Sequence, residues 1–211
     1  MIVLINPNST AAMTDAMLRA ARDAAPMARF EGWTSHDGPA AIEGAADGDA
    51  AIPPLLDLVR DASDRGARAI IIGCFDDTGL EQARTIAACP VIGIGQAGCC
   101  LAALAGGRFS VVTTLAVSIP VIEDNIRRYG LDRHLGRVRA SDVPVLALEG
   151  DADSATAKVV EAIRDAERED DIGAIVLGCG GMVDIAACAG PQTKTRLIDG
   201  VRAAALMASA L

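Results

Sequence analysis

Short apolar runs alternate with longer amphipathic segments along the chain, and the two patterns predict strands and helices in turn. The apolar runs predict strands at residues 2–5, 28–33, 69–73, 91–94, 109–113, 139–146, 174–178 and 196–198. The amphipathic segments predict helices at residues 11–24, 51–65, 79–88, 97–105, 117–129 and 154–168, with a last helix from Gly200 onward. Strands that alternate with helices form parallel sheets, and short strands without polar positions indicate sheets covered on both faces.

The two halves of the chain resemble each other. Residues 67–74 line up with residues 172–179, and both segments end in an Ile-Gly-Cys or Leu-Gly-Cys sequence. The opening strand at residues 2–6 resembles residues 109–113 at nearly the same separation, about half the chain. Two matched strands at a common separation indicate a duplicated α/β unit rather than a coincidence.

This duplication predicts an α/β fold of two parallel-sheet halves related by a pseudo-two-fold axis. The first half is assigned to residues 1–95 together with a C-terminal helix at residues 200–211, and the second half to residues 96–199. Ligands of open α/β sheets bind outside the carboxyl ends of the strands. The active site is therefore predicted in the cleft between the halves.

Composition and charge narrow the classes of partner. Hydrophobic residues make up 51% of the chain and aromatic residues 2%, so the core must be built from Ala, Val, Ile and Leu. The formal net charge of −9 argues against nucleic acid and against an anionic membrane surface. No apolar run reaches the length of about 18 residues that a membrane span needs, and no basic segment precedes the first apolar run. We expect a cytoplasmic protein, a homo-oligomer through its Ala-rich helices, with a small-molecule partner.

The spacing of the six cysteines fits no zinc motif, and the chain has two histidines. We therefore predict no metal site. Cys74 and Cys179 stand out because each directly follows a strand of the repeat. A thiolate is a competent base and a thiol a competent acid, and a helix N-terminus favours the thiolate. Taken singly, each is more simply explained as a buried core cysteine; their symmetric placement favours catalysis.

Residues beside the two cysteines and at the equivalent strand ends are predicted to bind substrate: Asn8, Ser9, Pro39, Phe75, Asp76, Thr113, Thr114, Gly180 and Gly181. Ser9 or Thr10 is expected to cap the following helix, which would leave backbone N–H groups facing a substrate oxygen. The loop at residues 38–43 is expected to border and cover the cleft. A capping turn, an ordinary strand end and a plain glycine turn would leave the same sequence pattern.

Asp76 and Asp77 follow Cys74 closely. Carboxylates beside a thiol oppose thiolate formation and repel an anionic substrate, which favours a neutral ligand. One of the two is also expected to cap the helix that begins near Gly79.

The chain resembles the Asp/Glu/hydantoin racemase superfamily, specifically its hydantoin and allantoin racemase branch. The matching segments run from end to end in order: Ile5-Asn-Pro-Asn-Ser9, Gly38-Pro39 with Ile42-Glu43, Gly73-Cys-Phe-Asp-Asp-Thr-Gly-Leu80, Phe109-Ser-Val-Val-Thr-Thr-Leu115, Tyr129-Gly130, Val176-Leu-Gly-Cys-Gly-Gly-Met182 and Ile198-Asp-Gly200. The resemblance implies racemisation by two thiols, without pyridoxal phosphate or metal, in which Cys74 and Cys179 are the acid/base groups. Residues 189–195 do not match the family pattern.

One departure from the wider superfamily bears on the substrate. Its free-amino-acid racemases hold the substrate carboxylate with Asn- or Thr-type residues beside the cysteines, whereas this chain has Phe75, Asp76, Gly180 and Gly181 there. The resemblance therefore implies a cyclic amide, either a 5-substituted hydantoin or allantoin. The C5 proton of such a ring is acidic because its carbanion is delocalised as an enolate.

Other functions remain open at this point. The nearest is an amino-acid racemase of the Asp/Glu type on the same fold. A decarboxylase of the family needs a single active cysteine, so the cysteine pair counts against it, whereas an isomerase that works by covalent addition would also use a pair. A protein that binds a small molecule without catalysis would show no exchange of the substrate proton.

Overall fold

The computed structural model describes residues 1–150, 152–189 and 193–211. Within these residues the strands form two four-stranded parallel sheets, ordered β2-β1-β3-β4 and β6-β5-β7-β8. The strands are β1 (Ile2–Asn6), β2 (Phe30–Thr34), β3 (Ala69–Ile72), β4 (Val91–Gly93), β5 (Phe109–Thr113), β6 (Leu135–Ala140), β7 (Ala174–Gly178) and β8 (Arg196–Asp199). The helices are α1 (Ala11–Ala24), α2 (Ala45–Asp64), α3 (Leu80–Ile86), α4 (Ile94–Gly106), α5 (Ile119–Arg128), α6 (Ala147–Gly150), α7 (Ala152–Glu169), α8 (Ile185–Ala189) and α9 (Gly200–Ser209).

The two sheets have the same topology, which confirms the prediction of two similar parallel-sheet α/β halves. In each sheet the first and third strands along the chain lie at the centre. β1 pairs with β3 in the first sheet, and β5 pairs with β7 in the second. Because all strands of a sheet are parallel, the loops that follow these central strands emerge at one edge.

The sheets share one core. Alternate residues along each strand point to opposite faces, and the inward faces, which include Leu4 of β1 and Val111 of β5, belong to a single hydrophobic cluster with α1, α4 and α9. The outer faces are covered separately, by α2 and α3 on the first sheet and by α7 and α8 on the second. The shared inner core holds the carboxyl edges of the two sheets in a fixed relation.

The last helix returns to the first sheet. α9 packs against α1 and α4 and also contacts β3. Its contact face is made of small residues, among them Ala203, Ala204 and Ala205, which are buried. Gly200 is required at the start of α9, since a Cβ there would lie 2.4 Å from the carbonyl oxygen of Ile94.

The predicted strand at residues 139–146 is wrong. β6 ends at Ala140, where the backbone N–H and the hydroxyl of Ser141 both donate to the Thr113 carbonyl oxygen. Asp142 then adopts a left-handed backbone conformation with φ of 55°, which breaks the extended chain. Val143 and Val145 are buried, as in a strand, but within a loop.

Helix α2 begins at Ala45 rather than near residue 51. The prediction placed Pro53 and Pro54 in the first turn, where proline is tolerated, but the structure places both inside the helix. The helix begins after Gly44, whose φ of 105° suits glycine.

The short helices α6 and α8 were not predicted, because they lack a full amphipathic period. Residues 190–192 of the unmatched 189–195 segment lie outside the described residues. Of the helices in the described part of the chain, none is both long and apolar enough to cross a membrane.

Candidate active site

The two predicted cysteines lie at one cavity. Cys74 follows β3 by one residue beyond Gly73, Cys179 follows β7 directly, and both line a cavity of about 440 Å³ that includes the solvent at its mouth. Seven of the residues predicted to bind substrate also line it: Asn8, Phe75, Asp76, Thr113, Thr114, Gly180 and Gly181. The sequence did not indicate four other lining residues, Met13, Met17, Ser118 and Val145. Only the amphipathic pattern of α1 could have indicated any of them, because it places Met13 and Met17 on the buried face of the helix.

The segments that carry the two cysteines approach closely. A Cβ on Gly180 would lie 3.0 Å from the carbonyl oxygen of Gly73 and 2.8 Å from the sulfur of Met17. A Cβ on Gly73 would in turn lie 2.9 Å from the Met17 side chain. Glycine at both positions is what allows the two halves to bring their cysteine loops together over α1.

The surroundings of Cys74 oppose its ionisation. Burial raises the pKa of the Cys74 thiol, and the negative charges of Asp76 and Cys179 raise it further, against hydrogen bonds from Thr78 and from the Asp76 backbone that lower it. The sulfur lies 3.4 Å from the Thr78 hydroxyl. The expectation that a helix N-terminus stabilises a Cys74 thiolate is wrong, because α3 begins only at Leu80.

Cys179 stands in a different setting. It is the residue that precedes the short 3₁₀ helix Gly180–Met182, and its sulfur accepts a hydrogen bond of 3.4 Å from the backbone N–H of Gly181. The expected helix N-terminus is therefore present at this thiol. A backbone donor directed at sulfur favours the negatively charged form of the sulfur.

The Asn8 loop differs from its prediction. The backbone N–H groups of Asn8, Ser9 and Thr10 do not face the cavity, because they donate to Asn6 Oδ1, to the Pro39 carbonyl and to Asn8 Oδ1, respectively. Thr10 occupies the N-cap of α1, but its hydroxyl donates to Ala40 O instead of capping the helix.

Ser9 and Pro39 are joined to each other beside the cavity and are not among its lining residues. What the Asn8 loop presents to the cavity is the side chain of Asn8. The amide nitrogen of that side chain has only the Met13 sulfur, 3.6 Å away, as its partner among the described residues.

The strand end at Thr113 and Thr114 lines the cavity as predicted. The Thr113 hydroxyl donates to the Gly178 carbonyl oxygen at 3.0 Å and so ties β5 to the strand that carries Cys179. The Thr114 side chain is buried, and among the described residues it forms no hydrogen bond. Its hydroxyl is thus available to a ligand.

The two aspartates after Cys74 have different surroundings. Asp76 lines the cavity, where burial raises its pKa to about 6 against a hydrogen bond from Ser118. Asp77 turns away and receives the backbone N–H groups of Gly95 and Gln96 and the Tyr129 hydroxyl. The expected cap on the helix after Gly79 is therefore wrong: Asp77 caps α4, and α3 has no side-chain cap.

The loops of the two sheets meet at the mouth of the cavity. The Glu43 carboxylate accepts a hydrogen bond of 2.6 Å from the backbone N–H of Val145. Val145 lines the cavity, and so does Ile42, which precedes Glu43 in the chain. The predicted covering loop at residues 38–43 thus borders the cavity through Ile42 and is tied to the loop that follows β6.

Two similar parallel sheets, each of which presents a cysteine to one shared cavity, define a duplicated α/β protein with its candidate site between the two halves. The sequence model of the Asp/Glu/hydantoin racemase family matches residues 2–208. The chain belongs to this family.

Relatives with known names are similar over the whole chain. A hydantoin racemase of Rhizobium meliloti is 46% identical, with 100% of this chain and 88% of the relative covered. The solved allantoin racemase of Klebsiella pneumoniae superposes with a TM-score of 0.96 at 38% identity, covering 100% of this chain and 86% of that one. The allantoin racemase of Pseudomonas fluorescens gives a TM-score of 0.94 at 34% identity, covering 100% and 89%.

Proposed function

We propose that the protein is a cofactor-independent racemase that inverts C5 of a 5-substituted hydantoin or of allantoin. Cys74 and Cys179 act on opposite faces of the ring, one as base and the other as acid. The observation that carries the proposal is that two thiols from equivalent loops line a single cavity. The names of the relatives at 46% and 38% identity support the substrate class.

In the proposed reaction a thiolate removes the C5 proton, and the electron pair moves onto the adjacent carbonyl oxygen to form an enolate. The opposite thiol then donates its proton to C5 from the other face, which leaves one thiol and one thiolate as at the start. The side-chain amide of Asn8 and the hydroxyl of Thr114 are donors available to the enolate oxygen. Preorganised donors of this kind are usually the largest contribution to catalysis in such sites.

We assign the resting thiolate to Cys179. Burial and Asp76 raise the pKa of Cys74, so that this thiol keeps its proton, and the reaction requires a base. The Cys179 sulfur receives the Gly181 N–H. At low equivalents of iodoacetamide, peptide mapping by mass spectrometry should therefore find Cys179 alkylated before Cys74. Alkylation in the reverse order would contradict the assignment.

The charge of the cavity favours a neutral ring over a free amino acid. Among the described lining residues there is no Lys or Arg to pair with a substrate carboxylate, and Asp76 repels one. The other proposed binding residues, namely Asn8, Phe75, Thr113, Thr114, Gly180 and Gly181, are uncharged. Ser9 and Pro39 support the Asn8 loop from outside the lining.

The division into residues 1–95 with 200–211 and residues 96–199 also stays a proposal, supported by the packing of α9 on α1. The cytoplasmic location and the homo-oligomer stay predictions of the sequence.

The test is proton exchange with solvent. Single enantiomers of a 5-alkyl hydantoin and of allantoin are incubated with the protein in D2O, and optical rotation is followed alongside the C5 proton signal. We expect loss of rotation together with uptake of deuterium, both faster than without protein. Turnover of aspartate or glutamate instead would assign an amino-acid racemase, and tight binding of hydantoin without exchange would assign a binding protein.

A further inference from the structure

A second, larger space opens beside the substrate cavity. This adjoining cleft, of about 1920 Å³ with its solvent, lies between the start of α2, the turn before α3, and α5. The two spaces have Ile42 and Asp76 in common among their lining residues. A ring held between the two thiols can therefore extend a C5 substituent toward the adjoining cleft past these two side chains.

Asp76 is held firmly at this junction. Asn125 of α5 donates to its backbone carbonyl at 2.8 Å, and Ser118 donates to Oδ2 of its carboxylate at 3.2 Å. None of the described residues donates to the other carboxylate oxygen, Oδ1. Because one oxygen is fixed and the other open, the carboxylate offers an acceptor of defined orientation.

Among the described residues, no Lys or Arg side chain pairs with the Asp76 carboxylate. Among the described residues that line the substrate cavity, Asp76 is the one carboxylate, and no Lys or Arg faces it. The adjoining cleft has two arginines, but both are committed: Arg84 to Glu81 and Arg128 to Asp124. A donor for Oδ1 must come from water or from the substrate.

Asp76 is half-buried, and an acceptor of this kind discriminates between the substituents that cover it. A substituent with an N–H group replaces the hydrogen bond that water provides, whereas an alkyl group displaces the water and leaves the carboxylate without a donor. Sites built to hydrogen-bond a substrate group reject analogues that lack it more strongly than apolar pockets reject a change of size.

We propose that Asp76 determines the substrate specificity of the site by accepting a hydrogen bond from an N–H group on the C5 substituent. The preferred substrates are then hydantoins whose substituent ends in a ureido, amide or amino group, ahead of alkyl hydantoins of equal length. The ureido group of allantoin belongs to the preferred class. The inference rests on the proposed racemase function and names its substrate class.

The test compares two substrates of equal size. kcat/KM for racemisation is measured with a ureido-substituted hydantoin and with a branched-alkyl hydantoin of the same length, in the wild-type protein and in Asp76→Leu and Asp76→Asn. We expect the ratio of the two kcat/KM values to favour the ureido substrate in the wild type. It should fall about 10- to 100-fold in Asp76→Leu, as loss of a hydrogen bond to a charged group implies.

The ratio separates specificity from catalysis. Removing Asp76 also changes the pKa of Cys74, but this change acts on both substrates and cancels in the ratio. Asp76→Asn, which keeps the size and one oxygen acceptor, should lower the ratio less than Asp76→Leu and serves if the leucine variant does not fold. Asp49→Asn is the matched control, because Asp49 lines the adjoining cleft and not the substrate cavity, and its ratio should equal that of the wild type.

The outcomes are distinct. An unchanged ratio in Asp76 variants that still racemise the alkyl substrate overturns the inference and leaves the racemase function standing. A fall of equal size in Asp49→Asn overturns it too, since general negative charge would then be the cause. If the wild-type protein racemises neither hydantoin, the proposed function itself fails.

Discussion

Racemisation of a hydantoin enantiomer is expected to fall by about 10²- to 10⁴-fold when either Cys74 or Cys179 is replaced by serine, the range that one positioned acid or base contributes. A hydroxyl is a far weaker acid than a thiol, and its conjugate base is not populated near neutral pH. Since inversion needs one group on each face, either replacement should suffice. Optical rotation of a single enantiomer measures the rate.

Cys188→Ser is the matched control for these variants. Cys188 is exposed on α8 and does not line the cavity, so the same atomic change there should leave the rate as in the wild type. Urea denaturation of all three variants separates loss of chemistry from loss of fold. A serine variant of Cys74 that racemises at the wild-type rate would rule out a mechanism with a thiol on each face.

Asp77→Ala should lower the free energy of unfolding by about 2–4 kcal/mol, because it removes a helix cap and strands buried donors that were bonded to a carboxylate. Gly95 and Gln96 donate to Asp77 at 3.0 and 2.7 Å, and the Tyr129 hydroxyl donates at 2.6 Å. The Asp77 backbone N–H also closes a turn onto the Cys74 carbonyl oxygen. Because the Asp77 side chain anchors this turn to α4, and alanine removes the anchor, we expect the variant to lose racemase activity as well as stability. Urea denaturation gives the stability change.

Tyr129→Phe measures how much one of the three hydrogen bonds to Asp77 contributes to the free energy of unfolding. It removes one of the three donors and leaves the two backbone bonds, so it should cost about 1 kcal/mol, the usual value for one hydrogen bond. Asp77→Asn keeps an acceptor of similar shape and should fall between the two. If Asp77→Ala unfolds at the same urea concentration as the wild type, the cap on α4 contributes nothing to stability.

The positions of the two cysteines follow from local sequence. A strand that is apolar throughout and ends in Gly-Cys predicts where its last residue lies, and the repeat predicts that the second copy occupies the equivalent place. The sequence alone therefore pairs Cys74 with Cys179. Most residues that line the cavity can be predicted for the same reason, because they stand at the ends of central strands. Thr113 ends β5, and Gly180 follows β7.

The errors concern contacts between residues distant in the chain. Asp77 meets Gly95 and Tyr129, which lie 18 and 52 positions away, and no local pattern indicates which of two adjacent aspartates turns toward them. The contact between Glu43 and Val145 spans 102 positions. Such pairings depend on how the two sheets pack, which hydrophobic periodicity does not encode.

The Asn8 loop shows the same limit at short range. Its sequence has the usual features of a capping turn, and the prediction left its N–H groups for the substrate. The structure instead satisfies them with the side chains of Asn6 and Asn8 and with the Pro39 carbonyl. A sequence specifies the available donors and acceptors, and several local pairings satisfy them equally well.

The return of α9 to the first sheet affects how the chain folds during its synthesis on the ribosome. Domains generally fold as units, with the N-terminal one first during synthesis. Here α1 and α4 lack their buried partner until residues 200–209 have been made, after the whole second sheet. The nascent first sheet therefore leaves the ribosome with part of its apolar inner face uncovered, and both halves should complete their folding together.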